Sequence, residues 1–219
     1  MKVAPRLFVA CCLAGAAAIA RSQQLWDAAA DFSISSNPNG AWSYGYISGN
    51  TFATCTSAFT STVFAGWNND LNGQATIMQN ICGVSSYGVQ PGHISLECDY
   101  SAPVLRFTVP TDGLYLAFLQ VGGTTDYQNG GFGNAYAGYA SLEINGVAVT
   151  EDSFVGNVKT WFTPTLTLNA GDTIQAVIGN HYGGGNNDTT MWIESVVPEP
   201  SSFLGLLAFT PLFLRRRRR

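Results

Sequence analysis

Between residues 24 and 197 the chain alternates apolar and polar residues with a period of two, and Gly, Pro, Asn and Asp break that alternation at short intervals. Helical periodicity is almost absent there, so the stretch is written for strands that bury one face of a sheet. Val104 to Val109 ends at Pro110, and Thr111-Asp112-Gly113 turns the chain into Leu114 to Val121. Ser141 to Ile144 and Val147 to Thr150 flank Asn145-Gly146, a dipeptide that accepts the positive φ values of a type I′ hairpin turn. Further strands are expected over Thr163 to Leu168, Thr173 to Ile178 and Thr189 to Val196, with Asn169-Ala-Gly-Asp172 as a turn. Short strands at this spacing predict an all-β fold, an antiparallel β-sandwich of jelly-roll type.

The stretch from Trp26 to about Val89 carries a weaker signal. Asn37-Pro-Asn-Gly40 is a turn and Ala41 to Tyr46 a strand, and the Ser-, Thr-, Asn- and Gly-rich remainder predicts long loops around few strands. With no repeat and no linker, residues 23–196 read as one domain.

Apolar residues at 46% and aromatic residues at 12% are ample for a core and exclude intrinsic disorder. The formal net charge of −4 hides an uneven distribution, because eight of the ten basic residues are Lys2, Arg6, Arg21 and Arg215 to Arg219. Only Arg106 and Lys159 lie between Gln23 and Val197, against thirteen acidic residues, which leaves that region at −11. A domain so poor in cations cannot neutralise a phosphate backbone, so nucleic acid is excluded as a partner.

The two ends read as addresses. Lys2 and Arg6 precede the apolar run Leu7 to Ala20, the pattern of a secretory signal peptide over residues 1–22 that is handled by the Sec machinery. At the other end, Pro198-Glu199-Pro200 is followed by the apolar segment Phe203 to Leu214 and then by Arg215, Arg216, Arg217, Arg218 and Arg219. Twelve residues of helix span about 18 Å, well short of a hydrocarbon core of ~30 Å, so this short C-terminal membrane helix is a weak anchor. The arginine cluster would keep the C-terminus cytoplasmic while the domain lies outside.

This order of Pro-Glu-Pro, apolar segment and terminal arginines over 197–219 closely resembles the PEP-CTERM sorting signal of bacterial surface and extracellular proteins. The resemblance implies recognition by an exosortase, cleavage near Pro198, Glu199 and Pro200, and a link to exopolysaccharide. It also implies export with transient anchoring in the inner membrane, then residence at the cell surface or in the extracellular matrix. The apolar segment is shorter than usual and is broken by Pro211, and an ordinary tail anchor is the alternative.

A second resemblance covers most of the central region. Asp31-Phe-Ser, Asn37-Pro-Asn-Gly-Ala-Trp-Ser-Tyr-Gly-Tyr46, Arg106-Phe-Thr-Val-Pro, Asp112-Gly-Leu-Tyr, Leu168-Asn-Ala-Gly-Asp172 and Asn187-Asp-Thr-Thr190 resemble a domain common in secreted PEP-CTERM proteins. That domain has no assigned activity and is similar to carbohydrate-binding jelly rolls.

Candidate chemistry is sparse. Cys11 and Cys12 belong to the signal peptide, which leaves Cys55, Cys82 and Cys98 for an oxidising compartment. One disulfide and one thiol account for them, and of the three pairings Cys82 with Cys98 closes the shortest loop, worth ~3 kcal/mol. None of the nucleophile, zinc or phosphate-loop motifs occurs, so no enzyme is expected. Glu97 and Asp99 would share a face as a carboxylate pair, against the plainer reading of a solvated strand face.

The loop Asn180 to Asp188 offers oxygen donors that suit Ca²⁺, with Asp188 as its one carboxylate; an ordinary strand connection is the alternative. A glycan needs an exposed aromatic ring beside amide and carboxylate groups. Trp42, Tyr44 and Tyr182 are the candidates, with Tyr46, Tyr127, Tyr136 and Tyr139 also available, while Trp161 and Trp192 are expected to pack into the core or a sheet face. The resulting expectation is a non-enzymatic, secreted protein that binds extracellular polysaccharide. A polysaccharide hydrolase or lyase and a purely structural matrix protein are the alternatives.

Overall fold

The structure is a computed structural model that describes residues 23–69, 75–98, 101–123, 138–154, 158–180 and 187–196. The expected signal peptide, the sorting signal, Asp99, Tyr127, Tyr136 and Tyr182 lie outside the described residues. Residues Leu25–Val196 form one compact unit.

The described chain is all β. Its strands are β1 (Leu25–Asp27), β2 (Trp42–Ser48), β3 (Thr51–Thr54), β4 (Ser57–Thr60), β5 (Phe64–Asn68), β6 (Ala75–Asn80), β7 (Ile94–Cys98), β8 (Pro103–Thr108), β9 (Gly113–Gly123), β10 (Gly138–Ile144), β11 (Val147–Phe154), β12 (Val158–Phe162), β13 (Leu166–Leu168), β14 (Thr173–Asn180) and β15 (Asn187–Val196). They build two antiparallel sheets. The nine-stranded sheet runs β12-β9-β15-β7-β6-β5-β4, with β1 beside β15 and β13 beside β9, and the six-stranded sheet runs β11-β10-β14-β8-β2-β3. Because β9 pairs with β15 in one sheet and β10 with β14 in the other, the two halves wind as one ribbon folded across the sandwich.

The core lies between the sheets. Leu105, Phe107, Leu142 and Ile174 come from the smaller sheet, and Ile77, Leu96, Tyr115, Leu119 and Met191 from the larger one, all fully buried in one cluster. Replacing a buried aromatic such as Phe107 by alanine costs about 3–5 kcal/mol, since transfer and cavity terms add. Turns hold the predicted positions. Asn145 (φ 52°) and Gly146 (φ 76°) make the two-residue link between β10 and β11, as the dipeptide requires.

Four expectations need correction. Trp42 and Tyr44 are 1% and 0% exposed, so neither can offer a ring to a ligand. Trp42 packs edge-on to Phe107 and donates its indole N–H to Asp31 at 3.1 Å, while Tyr44 packs against Phe32. Burial, with a smaller push from the Asp31 charge, raises the Tyr44 phenol to about 12. The phrase Asn37-Pro-Asn-Gly40 serves the same packing, because the Asn37 amide donates to the carbonyls of Tyr44 and Cys55 and accepts from the Tyr44 N–H.

No disulfide joins Cys82 to Cys98. In the β6–β7 pair Cys98 sits opposite Ala75 while Ile94 sits opposite Gln79, and Cys82 follows the far end of β6. The two cysteines are therefore separated by four residues or more along the strands, about 14 Å, where a disulfide tolerates a Cα separation of at most ~7 Å. The few strands expected before Val89 are six, β1 to β6. Strand β13 takes only the end of the predicted Thr163 to Leu168 segment, since Thr163 to Thr165 link it to β12.

Candidate functional site

The larger sheet turns a solvent-side face outward through β12, β9 and β15. In β9 the odd positions Tyr115, Ala117, Leu119 and Val121 are buried, so Leu116, Phe118 and Gln120 face out. The same alternation in β15 buries Thr189, Met191 and Ile193 and turns Asp188, Thr190, Trp192 and Glu194 to the other side. In β12 Phe162 stands 62% exposed.

Register lines these residues up in rows. Phe162 is opposite Phe118, Phe118 opposite Trp192, and Trp192 opposite Asp27 of β1. The Phe118 and Trp192 planes differ by 9° with centroids 5.1 Å apart, which is an offset stack, because ring faces in contact approach to about 3.5–4 Å. Each of these two rings therefore covers part of one face of the other. Phe162 leans across the stack at 59°, with its centroid 4.8 Å from that of Phe118, and gives most of its surface to water.

Polar groups border this aromatic row on both sides. One neighbouring row is Thr160, Gln120 and Thr190, in which the Gln120 amide donates to the Thr160 hydroxyl at 3.2 Å. The other is Leu116, Glu194 and the 62% exposed Leu25. An apolar ring surface with an amide, hydroxyls and carboxylates at its rim is the chemistry that binds a sugar, whose ring face is apolar and whose edge carries hydroxyls.

The remaining candidates are placed elsewhere. Asp188 is committed to protein contacts: one carboxylate oxygen lies 2.6 Å from His93 Nδ1 and the other accepts the Gln90 N–H at 3.3 Å. Among the described residues no group of three His, Cys, Asp or Glu side chains gathers around a point where a metal could sit. Asn187 of the Asn187-Asp-Thr189 sequence is 2% exposed, and its amide both donates to the Leu96 carbonyl and accepts the Leu96 N–H. Tyr139 is bound to Glu151, and that hydrogen bond is the main reason its phenol rises to about 12. Trp161 packs against the core as expected. Glu97 lies in β7, and with Asp99 outside the described residues the carboxylate pair is not placed.

The sequence does not single out Phe118 and Phe162, and Trp192, expected in the core or on a sheet face, takes the sheet face. Leu114 to Val121 is apolar at both parities except for Gln120, and that continuous apolar run was the available signal of a second, uncovered apolar face.

No protein-family model and no curated protein matches the chain. Among solved structures, a family 35 carbohydrate-binding module from Clostridium thermocellum is 13% identical over 80% of this chain and 99% of its own, at a TM-score of 0.32. TmCBM61 in complex with β-1,4-galactotriose is 10% identical over 58% of this chain and 85% of its own, also at 0.32. Rabbit GITRL is 18% identical over 44% of this chain and 74% of its own, at 0.31. Overlaps this loose carry no argument about activity, and the functional reading rests on the residues of the larger sheet.

Proposed function

We propose that this domain is a non-catalytic glycan-binding unit and that the Phe162, Phe118 and Trp192 row is its contact surface. The observation that carries this reading is the contiguous aromatic row on the outer face of the sheet, in which Phe162 is 62% exposed and Phe118 and Trp192 are half-buried against each other. A contiguous apolar patch on an outer face marks a binding surface more often than scattered rings do. The polar rim supports it, with Gln120, Thr160 and Glu194 on the neighbouring rows within reach of sugar hydroxyls. Export and exosortase sorting belong to the same proposal. They rest on the signal-like start and on Pro198-Glu199-Pro200 with its arginine cluster, and they would place the domain among extracellular polysaccharides.

Titration of the full chain with soluble oligosaccharides, read by tryptophan fluorescence and calorimetry, tests the binding. Saturable binding that Trp192→Ala or Phe162→Ala weakens about tenfold is expected. Binding that neither substitution changes would sink the assignment of this face. Mass spectrometry of the secreted form tests the sorting, with an intact terminal arginine run as the outcome against it.

A further inference from the structure

We infer that the glycan taken by this face carries free ammonium groups, a polymer with unacetylated amino sugars, rather than a uronate or sulfated chain. The inference rests on the glycan-binding reading above and adds the charge of the ligand to it. Register places Asp27 beside Trp192 and Glu194 in the next row, between Leu25 and Leu116. One Asp27 oxygen accepts the backbone N–H groups of Ala29 and Ala30, which fixes the carboxylate without bringing a positive charge to it.

Neither Lys159 nor Arg106 is on that face, and His93 meets it only at Asp188, with which it pairs at 2.6 Å, four residues along β15 from Trp192. Lys159 shares the inward parity of Trp161 in β12 and pairs with Asp152 at 2.6 Å. Arg106 belongs to the other sheet, where its guanidinium carbon lies 3.7 Å from the Phe52 ring centroid and its Nε donates to Gln175. A polyanionic glycan would therefore bring its charge against Asp27 and Glu194 with no lysine or arginine on the face to compensate it. An ammonium on a sugar would instead meet a carboxylate and an aromatic ring in one place. At an exposed site an ion pair and a cation–π contact each correspond to a factor of up to about five in affinity.

The test uses the full chain and three probes of equal length: a β-1,4-glucosamine oligomer, its fully N-acetylated counterpart, and a β-1,4-linked uronate oligomer. The glucosamine oligomer is expected to bind about fivefold or more tightly than the acetylated one, and the uronate not measurably. Glu194→Gln and Asp27→Asn should each remove about twofold to fivefold of that preference, and raised salt should diminish it. Equal or tighter binding of the acetylated oligomer, or binding of the uronate, overturns the ammonium inference and leaves the glycan reading standing. Glucosamine binding that survives Trp192→Ala and Phe162→Ala would be diffuse attraction to an acidic surface and also overturns it. Failure of all three probes in the wild-type chain overturns this inference, and the glycan reading falls only if a wider panel of neutral oligosaccharides fails as well.

Discussion

Phe118 and Trp192 face each other directly across the β9–β15 pair, with their planes 9° apart, on the solvent side of the sheet. A cross-strand aromatic pair of this kind contributes about 0.5–1.5 kcal/mol beyond the area it buries. A double-mutant cycle on Phe118→Ala and Trp192→Ala, read by denaturant unfolding, should return a coupling in that range. A coupling near zero would mean that the stack is not held in solution.

Trp42 and Trp192 provide a paired control for the functional reading. Trp42 is sealed between the sheets, so Trp42→Ala should cost about 3–5 kcal/mol of stability. Trp192→Ala should cost about 1–2 kcal/mol, because its ring is only partly buried, while it weakens glycan binding. Thermal melts beside binding isotherms check both, and the reverse assignment of effects would contradict the sandwich described here.

How far the fold can be read from the sequence depended on whether the deciding physics is local. Asn145-Gly146 was legible because the demand for positive φ is met within two residues. Strands β3 and β4 were not, since Thr51–Thr54 and Ser57–Thr60 carry little apolar periodicity and take their conformation from pairing with β2 and β5. The aromatic row was hidden in the sequence for a related reason. Trp42 and Tyr44 alternate with Ser43 and Gly45, which marks an aromatic face without saying whether it meets core or water. Phe162, Phe118 and Trp192 come from three separate strands, and only the register between those strands brings them into one row.

The thiols give a chemical check on the disulfide correction. Cys82 sits partly exposed after β6, whereas Cys55 and Cys98 are buried. A thiol reagent followed by peptide mapping should label Cys82 in the folded protein and reach Cys55 and Cys98 only on unfolding. Reducing agent should leave the melting temperature unchanged. A melting temperature that drops on reduction, with Cys82 protected from labelling, would restore the disulfide.

Asn187 substitutes its side chain for a stretch of ladder between β15 and β7, where Thr189 opposite Ile94 is the paired position. Its amide satisfies both the N–H and the carbonyl of Leu96, and its own N–H is held by the Ser95 hydroxyl. Asn187→Ala would leave those buried backbone groups of Leu96 without their partner, at a cost of about 2–4 kcal/mol. Unfolding in urea checks this, and a loss below about 0.5 kcal/mol would show that water or a shifted strand takes over the bonds.

Tyr44 and Tyr139 give the domain a defined alkaline limit. Both phenols rise from 10.0 to about 12, Tyr44 chiefly because burial disfavours its phenolate and Tyr139 chiefly because its hydroxyl is bound to the Glu151 carboxylate. In the unfolded chain both return to about 10 and release their protons first. Between pH 10 and 12 the folded state therefore holds more protons than the unfolded state, and stability falls as pH rises through that window. Below pH 10 the contribution is fully present and the pH dependence from these groups vanishes. An ultraviolet titration of the native protein near pH 11 should show one more protonated phenol than that of Tyr139→Phe, and the same substitution should flatten part of the alkaline loss of stability. Ionisation of the Tyr44 and Tyr139 phenols by pH 11 in a protein that is still folded would refute both assignments.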